Sequence, residues 1–354
     1  MGNDSFRSIQ SVGRSRLIDE LLEDGPDPES PLQAGPGDDA AVVRRRTGGD
    51  GDDGPAESER LELLSSETFM EGVDFDLTYT PLHHLGYKVA SAAVSDIYAM
   101  NGTPDLLLVN LAVPNKLSVD MLREIYRGIH AAGQEYGTQV AGGDLGASHR
   151  LLNLSVTATG TVPAGRVRYR SGASEGEAIC VSGDLGGAIA GLRILMREKD
   201  FWQEHGEQQA FQPDLEDYEY VVGRQLVPVA RRDVVEAFGR TGLMPGALTD
   251  VSQGLVASLR QVAEASGLGC YVYQAALPVA LDTRTVADEM KEEADKYALF
   301  GGEDYEMLFT LPEGDVERLA EQFEDFVVVG KITGEPGVTM QTAEGETVRL
   351  EEEG

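Results

Sequence analysis

Six short motifs in the chain place a carboxylate within two positions of a glycine or serine. They are Gly37-Asp38-Asp39, Ser65-Ser66-Glu67, Ser95-Asp96, Gly142-Gly143-Asp144, Asp250-Val251-Ser252 and Gly301-Gly302-Glu303-Asp304. A carboxylate contributes the hard oxygen ligand that Mg²⁺ prefers, and a neighbouring glycine lets the backbone approach a phosphate closely. Any one such motif is more common as a turn or a helix cap, but their number weakens that interpretation.

Other catalytic signatures are absent from the sequence. It contains no GxxxxGK[ST] phosphate loop, no HExxH zinc motif, no GxSxG elbow and no dinucleotide fingerprint in a βαβ context. The glycine-rich segment 182–188 opens a predicted helix, where it would either bind an anion or allow close packing. Arg170 would either clamp a phosphate or lie at the surface. Catalysis by histidine is not expected, because metal-ligand spacing is missing among His83, His84, His130, His149 and His205.

The motifs lie on a chain that alternates helical and strand patterns. Predicted strands in the N-terminal half are AAVV, LELLSSE, DLLLVNLAVP, TQVAGGDL and LLNLSVTATGTVP, and predicted helices are SIQSVGRSRLIDELLED, LGYKVASAAVSDIYAMNG and SVDMLREIYRGIHAAGQEYG. The C-terminal half repeats the mixture, with strands such as AICVSG, GCYVYQ and DFVVVGKIT and helices such as LGGAIAGLRILMREKDFW. This pattern favours two α/β or α+β domains over one doubly wound sheet.

We predict an N-terminal domain over residues 1–165 and a C-terminal α/β domain over residues 166–354. Within the first domain, residues 44–60 are rich in Gly and Asp and have no apolar period. That composition predicts a flexible acidic hairpin loop.

The charge of the chain excludes two classes of partner. The 354 residues include 29 Lys plus Arg and 61 Asp plus Glu, so the formal charge is 29 − 61 = −32. Nucleic acids and anionic membranes require a basic surface, so neither is an expected partner. The sequence shows no signal-peptide apolar region and no run of eighteen apolar residues, which predicts a cytoplasmic location.

The basic residues are mostly arginine, since only six of the 29 are lysine. Dense carboxylates with scarce lysine are typical of a surface adapted to high salt, where screening over about 3 Å at 1 M relieves self-repulsion. An ordinary acidic protein is the alternative. Cys180 and Cys270 lie in predicted strands, where buried free thiols are expected rather than a disulfide framework or a metal site.

Seven blocks, taken in order, resemble the thiamine-monophosphate kinase family: GDDAAVV, LSSETFMEGVDF, LGYKVASAAVSDIYAMNGTP, VAGGDLGAS, YRSGASEGEAICVSGDLGGAIAGL, TDVSQGL and FGGEDYEMLFT. The resemblance covers roughly residues 35–333. It implies ATP-dependent phosphorylation of thiamine monophosphate to thiamine diphosphate, with several Mg²⁺ ions as cofactors. It also implies the aminoimidazole-ribonucleotide-synthetase fold: two α/β domains, a homodimer formed through the N-terminal mixed-sheet domain, and ATP with a Mg²⁺ cluster at the interface.

The resemblance also implies roles for individual residues. Catalysis would centre on Asp96 and Asp144, and thiamine phosphate would contact Asp74 and Glu303. ATP would contact Gly143, Asp144, Arg170 and Ser252. The metal ligands would be Asp39, Ser65, Ser66, Glu67, Asp96, Asp144 and Asp250. A phosphate acceptor is already ionised near neutral pH, so the reaction requires charge neutralisation and alignment but no general base.

Four positions depart from the family pattern, which usually has Asp at Glu67, His at Asp74, Thr at Leu145 and Asp at Gln253. Glu67 keeps a carboxylate one methylene farther out, and Asp74 reverses the expected polarity beside a phosphate. Gln253 removes an anionic ligand, which predicts a weakened or missing metal site. The C-terminal VRLEEEG also lacks the aromatic tail that covers the thiazole or pyrimidine ring in many relatives.

These departures leave two interpretations open. The first is an active kinase with fewer or shifted metals; the second is a degenerate relative that binds nucleotide or thiamine phosphate as a binding or regulatory protein. Other enzymes of the superfamily fit less well. Selenophosphate synthetase would need a reactive cysteine near the N-terminus, whereas the first cysteine is Cys180, and aminoimidazole-ribonucleotide synthetase matches the blocks less closely. A calcium buffer would carry a DxDxDG loop, which the sequence lacks.

Overall fold

The computed structural model describes residues 17, 20–21, 30–44, 59–205 and 215–351. Its strands are β1 (Leu32–Ala34), β2 (Ala41–Val43), β3 (Arg60–Met70), β4 (Thr103–Pro114), β5 (Gln139–Ser148), β6 (Asn153–Pro163), β7 (Ala178–Ser182), β8 (Leu248–Val251), β9 (Gly269–Tyr273), β10 (Glu306–Leu311), β11 (Phe326–Thr333), β12 (Gly337–Gln341) and β13 (Thr347–Arg349). Its helices are α1 (Leu82–Ala99), α2 (Val119–Tyr136), α3 (Gly187–His205), α4 (Glu219–Leu226), α5 (Arg232–Thr241), α6 (Leu255–Ser266), α7 (Leu281–Met290), α8 (Ala294–Phe300) and α9 (Glu313–Ala320).

The first six strands form one sheet in the order β1-β2-β3-β6-β4-β5. Side chains alternate along β3, where Leu61 and Leu63 are buried and Leu64 is exposed. This period of two is expected of an antiparallel strand with one face on a core. Helix α1 packs on the buried face against β3, β4 and β6, and α2 packs on α1. On the opposite face of the sheet, Leu64, Ser66 and Met70 of β3 are exposed.

Two glycines allow α1 and α2 to cross at close range. A Cβ atom added at Gly86 would lie 1.9 Å from the carbonyl oxygen of Ile125, and one added at Gly128 would lie 1.8 Å from that of His83. A side chain at either position would force the helices apart, because a packed interior cannot absorb such overlap. Helix α1 is buried from Leu85 to Ala99, and the chain leaves it through the predicted Asn101-Gly102 turn, where Asn101 has a φ of 58°.

The remaining strands form a seven-stranded sheet in the order β13-β12-β9-β11-β7-β10-β8. Strands β9 and β12 are its parallel pair, and the other neighbours are antiparallel. Cys180 in β7 and Cys270 in β9 are both buried free thiols. The prediction that both cysteines lie buried in strands is therefore confirmed.

The two sheets share part of one hydrophobic core. Phe238 and Phe309 from the C-terminal half are buried in the same cluster as Leu63 and Leu107 from the N-terminal half. Two mixed sheets with helices packed on them confirm the predicted α/β architecture and exclude one doubly wound sheet. The predicted division between residues 165 and 166 falls in the connection from β6 to β7, and this boundary stays a prediction.

Two sequence predictions fall largely outside the described residues. The predicted N-terminal helix is represented there by Leu17, Glu20 and Leu21, which are helical, and the predicted acidic loop by residues 44, 59 and 60. Among the helices within the described ranges, none combines the length and apolar composition needed to cross a lipid bilayer.

Candidate active site

Three carboxylates from distant parts of the chain converge in the interior. Asp39 precedes β2, Asp96 lies on α1, and Asp250 lies on β8. One oxygen from each lies within 4.8 Å of the others. Asp96 is 8% exposed and Asp250 is 2% exposed. We call these three residues the carboxylate cluster.

Serine hydroxyls fix the orientation of these carboxylates. Ser95 Oγ donates to Asp250 Oδ2 at 2.7 Å, and Ser252 Oγ donates to Asp250 Oδ1 at 2.9 Å. Ser65 Oγ donates to Asp96 Oδ2. A hydroxyl holds an acid in place without neutralising its charge. The cluster is therefore well oriented but remains strongly anionic when it is ionised.

Burial, together with neighbouring negative charges, raises the pKa values of the cluster. Burial raises the pKa of Asp39 to about 7; the Asp250 charge adds to the shift, and the Arg170 guanidinium opposes it. Burial, followed by the charges of Asp250, Glu67 and Asp39, raises the pKa of Asp96 well above its usual range. Burial also raises the pKa of Asp250, while the hydroxyls of Ser95 and Ser252 oppose the shift. Upward pKa shifts of this kind show that the nearby positive charge is too small to offset the cost of burying the ionised carboxylates.

Arg170 is the cation that hydrogen-bonds to the cluster within the described ranges. Its Nη2 donates to Asp39 Oδ1 at 2.6 Å, and its backbone N–H donates to Asp38 Oδ1 at 2.7 Å. The hydroxyl of Thr249 also donates to Asp39 Oδ1, at 3.1 Å. The other oxygen, Asp39 Oδ2, is buried without a hydrogen-bond partner. An unpartnered carboxylate oxygen beside two further carboxylates is a donor set that fits a divalent cation.

The segment after α8 brings a fourth acid towards this region. Glu303 Oε2 accepts from Lys88 Nζ at 3.1 Å and from Gln225 Nε2 at 3.0 Å. Lys88 lies on α1, seven and eight positions before Ser95 and Asp96, a spacing that places all three on one face of the helix. Glu303 and Tyr305 both have positive φ, 60° and 52°. Such backbone strain persists only where the surroundings hold it firmly.

A set of ion pairs that the sequence did not predict holds this segment. Arg224 Nη1 lies 2.8 Å from Glu306 Oε1, and Arg231 Nη1 contacts Glu306 Oε2. Asp304 accepts from the backbone N–H groups of Gly186 and Ala188 at the start of α3, and Arg224 Nη2 lies 3.6 Å from its Oδ1. We call Arg224, Arg231, Asp304 and Glu306 the arginine network.

Other residues implied by the family resemblance have different surroundings. Glu67 lies on the buried side of β3, and its charge raises the pKa of both Asp96 and Asp250. Ser66 lies on the opposite side, where its Oγ is 3.0 Å from that of Thr157. Asp74 Oδ2 accepts from the backbone N–H of Met70 at 2.7 Å. None of these contacts tests the predicted roles.

Gly143 and Asp144 lie far from the cluster within one chain. Asp144 pairs with Asn110, Asn110 with Ser155, and Ser155 with Thr68 on β3. Three strand spacings separate Asp144 from Thr68, or roughly 14 Å at the usual spacing between strands. Strand β5 is the edge of the sheet, and Gly143 and Asp144 are both exposed.

Comparison with known proteins gives this geometry a family context. Residues 37–162 match the N-terminal domain of AIR synthase related proteins, and residues 174–343 match the C-terminal domain. Over 276 residues the chain is 34% identical to thiamine-monophosphate kinase from Aquifex aeolicus (strain VF5), covering 78% of this chain and 83% of that protein. It is 30% identical to the enzyme of the same name from Bacillus subtilis (strain 168), covering 83% of this chain and 82% of that protein.

A solved structure extends the comparison to the fold. The structure of AaThiL complexed with AMPPCP and TMP has a TM-score of 0.79 and 29% identity, and the match covers 99% of this chain and 98% of that one. The matched domains together span more than half of this chain. The sequence resemblance is thus confirmed by family models, by relatives and by fold. The chain belongs to the thiamine-monophosphate kinase family of AIR synthase related proteins.

Proposed function

We propose that this protein transfers the γ-phosphoryl group of ATP to thiamine monophosphate and releases ADP and thiamine diphosphate. The observation that carries the proposal is the carboxylate cluster, which joins Asp39, Asp96 and Asp250 from three separate elements within 4.8 Å. Relatives named thiamine-monophosphate kinase cover most of the chain, and the similar solved structure contains AMPPCP and TMP.

The chain's own residues bind and orient the two substrates in this proposal. Arg170 is partly exposed at 18% of its side chain, and its planar guanidinium suits a phosphate oxygen of ATP. Ser252, Gly143 and Asp144 complete the proposed ATP contacts, while Asp74 and Glu303 lie on the thiamine-phosphate side. Lys88, which is 2% exposed, holds the Glu303 carboxylate and supplies a buried positive charge next to the acceptor phosphate.

Magnesium is the cofactor that the donor set fits. Asp39, Asp96 and Asp250 would hold it, with Ser65, Ser66, Glu67 and Asp144 as further proposed ligands and Asp96 and Asp144 closest to the chemistry. When bound, Mg²⁺ neutralises phosphate charge and aligns the acceptor oxygen with the γ-phosphorus. The unpartnered Asp39 Oδ2 and the raised pKa values of the cluster support this assignment.

The four departures from the family pattern leave the carboxylate cluster intact. None of Glu67, Asp74, Leu145 and Gln253 belongs to it. Asp74 has a local role here, because it accepts a hydrogen bond from the backbone of Met70. No contact among the described residues favours the alternative of a binding or regulatory protein, and we propose an active kinase.

The direct test is Mg²⁺-dependent formation of ADP and thiamine diphosphate from ATP and thiamine monophosphate. We expect product with Mg²⁺ and none with excess EDTA. The variants Gln253→Asp and Asp74→His, made singly and together, restore the family residues. Unchanged or lower activity would show that the rest of this protein compensates for the absence of the family residues at positions 74 and 253. A steep rise would show that the natural enzyme is impaired. Retained ATP binding without any product at saturating substrates would contradict the proposal.

We further propose that the active protein is a homodimer in which the open face of the N-terminal sheet is covered by a second copy. Leu64, Met70, Leu106 and Leu108 are between 37% and 42% exposed on that face of the sheet. Exposed apolar side chains grouped on one face favour a protein interface. The distance of Asp144 from the cluster in its own chain supports an arrangement in which each subunit supplies Asp144 to the other's site.

Mixing two inactive variants tests this arrangement. Asp96→Asn and Asp144→Asn proteins, unfolded together and refolded, would form mixed dimers with one intact site if Asp144 acts across the interface. We expect activity to return in the mixture and not in either variant alone. A monomer in solution, or a mixture as inactive as its components, would contradict the shared site.

We also propose that the surface is adapted to high salt, in agreement with a formal charge of −32 and only six lysines. The predicted cytoplasmic location would then be a salt-rich cytoplasm. Thermal unfolding at about 0.1 M and 2 M KCl tests this, because molar salt screens exposed charges beyond roughly 3 Å. We expect a higher Tm in molar KCl, and an unchanged Tm would contradict salt adaptation.

A further inference from the structure

Tyr305 is a buried tyrosine with a left-handed backbone conformation. Its φ is 52°, and the residue is 6% exposed. A positive φ is unfavourable for a bulky residue and persists only where the surrounding structure enforces it; such positions concentrate at functional sites. Glu303, two positions earlier, has a φ of 60°. Both strained residues lie in the segment that joins α8 to β10.

The backbone of this segment is fixed against the end of β8. The N–H of Glu303 donates to the carbonyl oxygen of Ser252 at 2.8 Å, and the N–H of Tyr305 donates to that of Val251 at 3.1 Å. A Cβ atom added at Gly302 would lie 2.8 Å from the same Ser252 oxygen, so the two segments are in direct contact. Tyr305 is therefore held beside the strand that supplies one acid of the carboxylate cluster.

The side chain of Tyr305 belongs to the core shared with the N-terminal half. It is buried in the same hydrophobic cluster as Met307 and Phe309, the alternate residues of β10, whereas Leu308 between them belongs to a different cluster. The cluster that holds Tyr305 also contains the buried apolar residues of α1. The phenol ring therefore packs on the side of β10 that faces α1, the helix that carries Asp96.

Acids from both ends of the candidate site act on the Tyr305 hydroxyl. Burial raises the pKa of Tyr305 well above its usual range, and the charges of four acids raise it further: Glu303, Glu67, Asp250 and Asp96. The hydroxyl is thus within electrostatic reach of the proposed acceptor side and of the carboxylate cluster. It keeps its proton near neutral pH, and a protonated phenol is a neutral hydrogen-bond donor.

This donor is unused within the part of the chain that the structure describes. The contacts of Tyr305 there are the backbone hydrogen bond to Val251 and apolar packing, and its hydroxyl has no hydrogen-bond partner among those residues. A buried tyrosine hydroxyl normally finds a partner. A donor without one, placed among acids that cannot all be reached by a cation of the chain, is suited to an oxygen of a bound ligand.

We infer that the Tyr305 hydroxyl is a catalytic hydrogen-bond donor to the phosphoryl group in transfer, oriented by the strained backbone at positions 303 and 305. The inference rests on the proposed function and adds a residue to its chemistry. The bond from the γ-phosphorus to ADP breaks, the bond to the acceptor oxygen forms, and the phenol keeps its proton throughout. A preorganised neutral donor stabilises charge that develops on the phosphoryl oxygens, without adding another charge to the site.

Removal of this one hydroxyl is the first test. Tyr305→Phe keeps the ring and its packing, and we expect kcat to fall roughly 100-fold, the usual cost of losing one such donor. KM for ATP, KM for thiamine monophosphate and the urea midpoint should stay near the wild-type values.

Tyr98→Phe is the matched control, because it deletes the same atom from the same core. Tyr98 is 2% exposed, belongs to the same cluster, and has a buried hydroxyl without a partner among the described residues. The charged groups that act on it belong to α2 and α5: Arg232, Glu236 and Glu135. We expect Tyr98→Phe to keep the wild-type kcat. Equal kcat values for the two variants would overturn the inference.

Binding of a phosphoryl mimic is a readout besides turnover. MgADP with aluminium fluoride imitates the phosphoryl group in transfer, and calorimetry compares its affinity with that of MgADP alone. Tyr305→Phe should bind the mimic at least about 10-fold more weakly than the wild type and bind MgADP equally well. Equal weakening of both ligands, or a lowered urea midpoint, would show that the hydroxyl is structural and would overturn the inference.

These measurements separate the inference from the proposed function. If the wild type phosphorylates thiamine monophosphate while Tyr305→Phe keeps its kcat and its affinity for the mimic, the role of Tyr305 is wrong and the kinase proposal stands. If the wild type forms no thiamine diphosphate, the kinase proposal is wrong. The affinity for the mimic then still decides whether the hydroxyl contacts a phosphoryl group.

Discussion

Two groups of buried acids lie close together in this protein and differ in how their charge is balanced. The arginine network contains two carboxylates, Asp304 and Glu306, and two guanidiniums, Arg224 and Arg231, so its formal charge is 2 − 2 = 0. The carboxylate cluster contains three carboxylates and contacts one guanidinium, that of Arg170, which gives 1 − 3 = −2. The carboxylates of both groups are almost fully removed from water.

Burial alone therefore does not distinguish a structural group of acids from a functional one. The network satisfies its charges within the chain, and it fixes the strained segment that carries Glu303. The cluster leaves charge unbalanced and one buried oxygen unpartnered. Unbalanced buried charge is unfavourable for folding, and this supports the proposal that the cluster holds Mg²⁺.

The largest effect on stability is expected from a substitution in the arginine network. Arg231→Ala leaves the Glu306 carboxylate without one of its two guanidinium partners in the interior, which is expected to lower the free energy of unfolding by about 3–5 kcal/mol. Urea denaturation measures it. Arg232→Ala is the matched control: its pair with Glu236 is about half exposed, and its loss should change stability by less than about 1 kcal/mol. Equal losses from the two variants would contradict the structural role of the network.

The second prediction concerns the carboxylate cluster, where a substitution is expected to lower activity without lowering stability. Asp96→Asn is expected to lower kcat roughly 100- to 1,000-fold, because several kcal/mol of metal-assisted charge stabilisation are lost. Its stability without Mg²⁺ should not fall, since the substitution removes one of several repelling buried charges. Asp105→Asn, an exposed acid on β4, serves as the control for both measurements. A strongly destabilised Asp96→Asn protein would place the cluster in the same class as the network.

The third prediction uses the cation itself. Mg²⁺ at about 100 times its Kd should raise the free energy of unfolding by about 2.7 kcal/mol, because it binds the folded chain alone. The rise should be largely lost in Asp39→Asn and retained in Glu306→Gln, which alters the network and leaves the cluster intact. Thermal unfolding with and without Mg²⁺ measures it. A rise of the same size in both variants would show that the cation binds somewhere else.

The smallest effect is expected when a carboxylate of the cluster keeps its charge but loses a hydroxyl that orients it. Ser95→Ala removes the hydroxyl that donates to Asp250 Oδ2 and is expected to lower stability by about 1 kcal/mol, together with a several-fold loss in kcat. Ser91→Ala is the matched control, since Ser91 is buried one turn earlier on α1 and its Oγ is 3.0 Å from the hydroxyl of Tyr136. It should lower stability to a similar extent without affecting kcat. Equal kcat values for the two variants would contradict a positioning role for Ser95.

The sequence predicted the cluster better than the network for a physical reason. Asp39, Asp96 and Asp250 each lie within two positions of a glycine or serine in a local motif, and the family resemblance grouped them. Their convergence is visible in the structure, while their role as ligands stays a prediction. Arg224 and Arg231 are about 80 residues away from Asp304 and Glu306 along the chain. Ion pairs over such separations leave no periodic pattern, so only the folded structure brings them together.

Strand geometry separates two residues that the resemblance grouped as metal ligands, Ser65 and Ser66. Successive side chains on a strand point to opposite faces, and the role of both residues as ligands stays a prediction. Ser65 therefore contacts Asp96, while Ser66 lies beside Thr157 on the open face. The pairing of β4 with β5, which carries Asp144 to the sheet edge, depends on long-range register that no local pattern encodes. Lys88 did have a local signal, because it is the one lysine or arginine in the mostly small and apolar helix α1.

Helix α1 runs from one end of the candidate site to the other as a single continuous helix. Lys88 near its start reaches Glu303, and Ser95 and Asp96 near its end reach Asp250 and the cluster. Eight residues of helix set a separation of about 12 Å along the axis between the proposed acceptor side and the proposed metal side. A hinge motion that separated the two halves of the chain would have to break the Lys88–Glu303 and Ser95–Asp250 contacts. In the proposed reaction, the helix would therefore keep the distance between the two bound phosphates fixed.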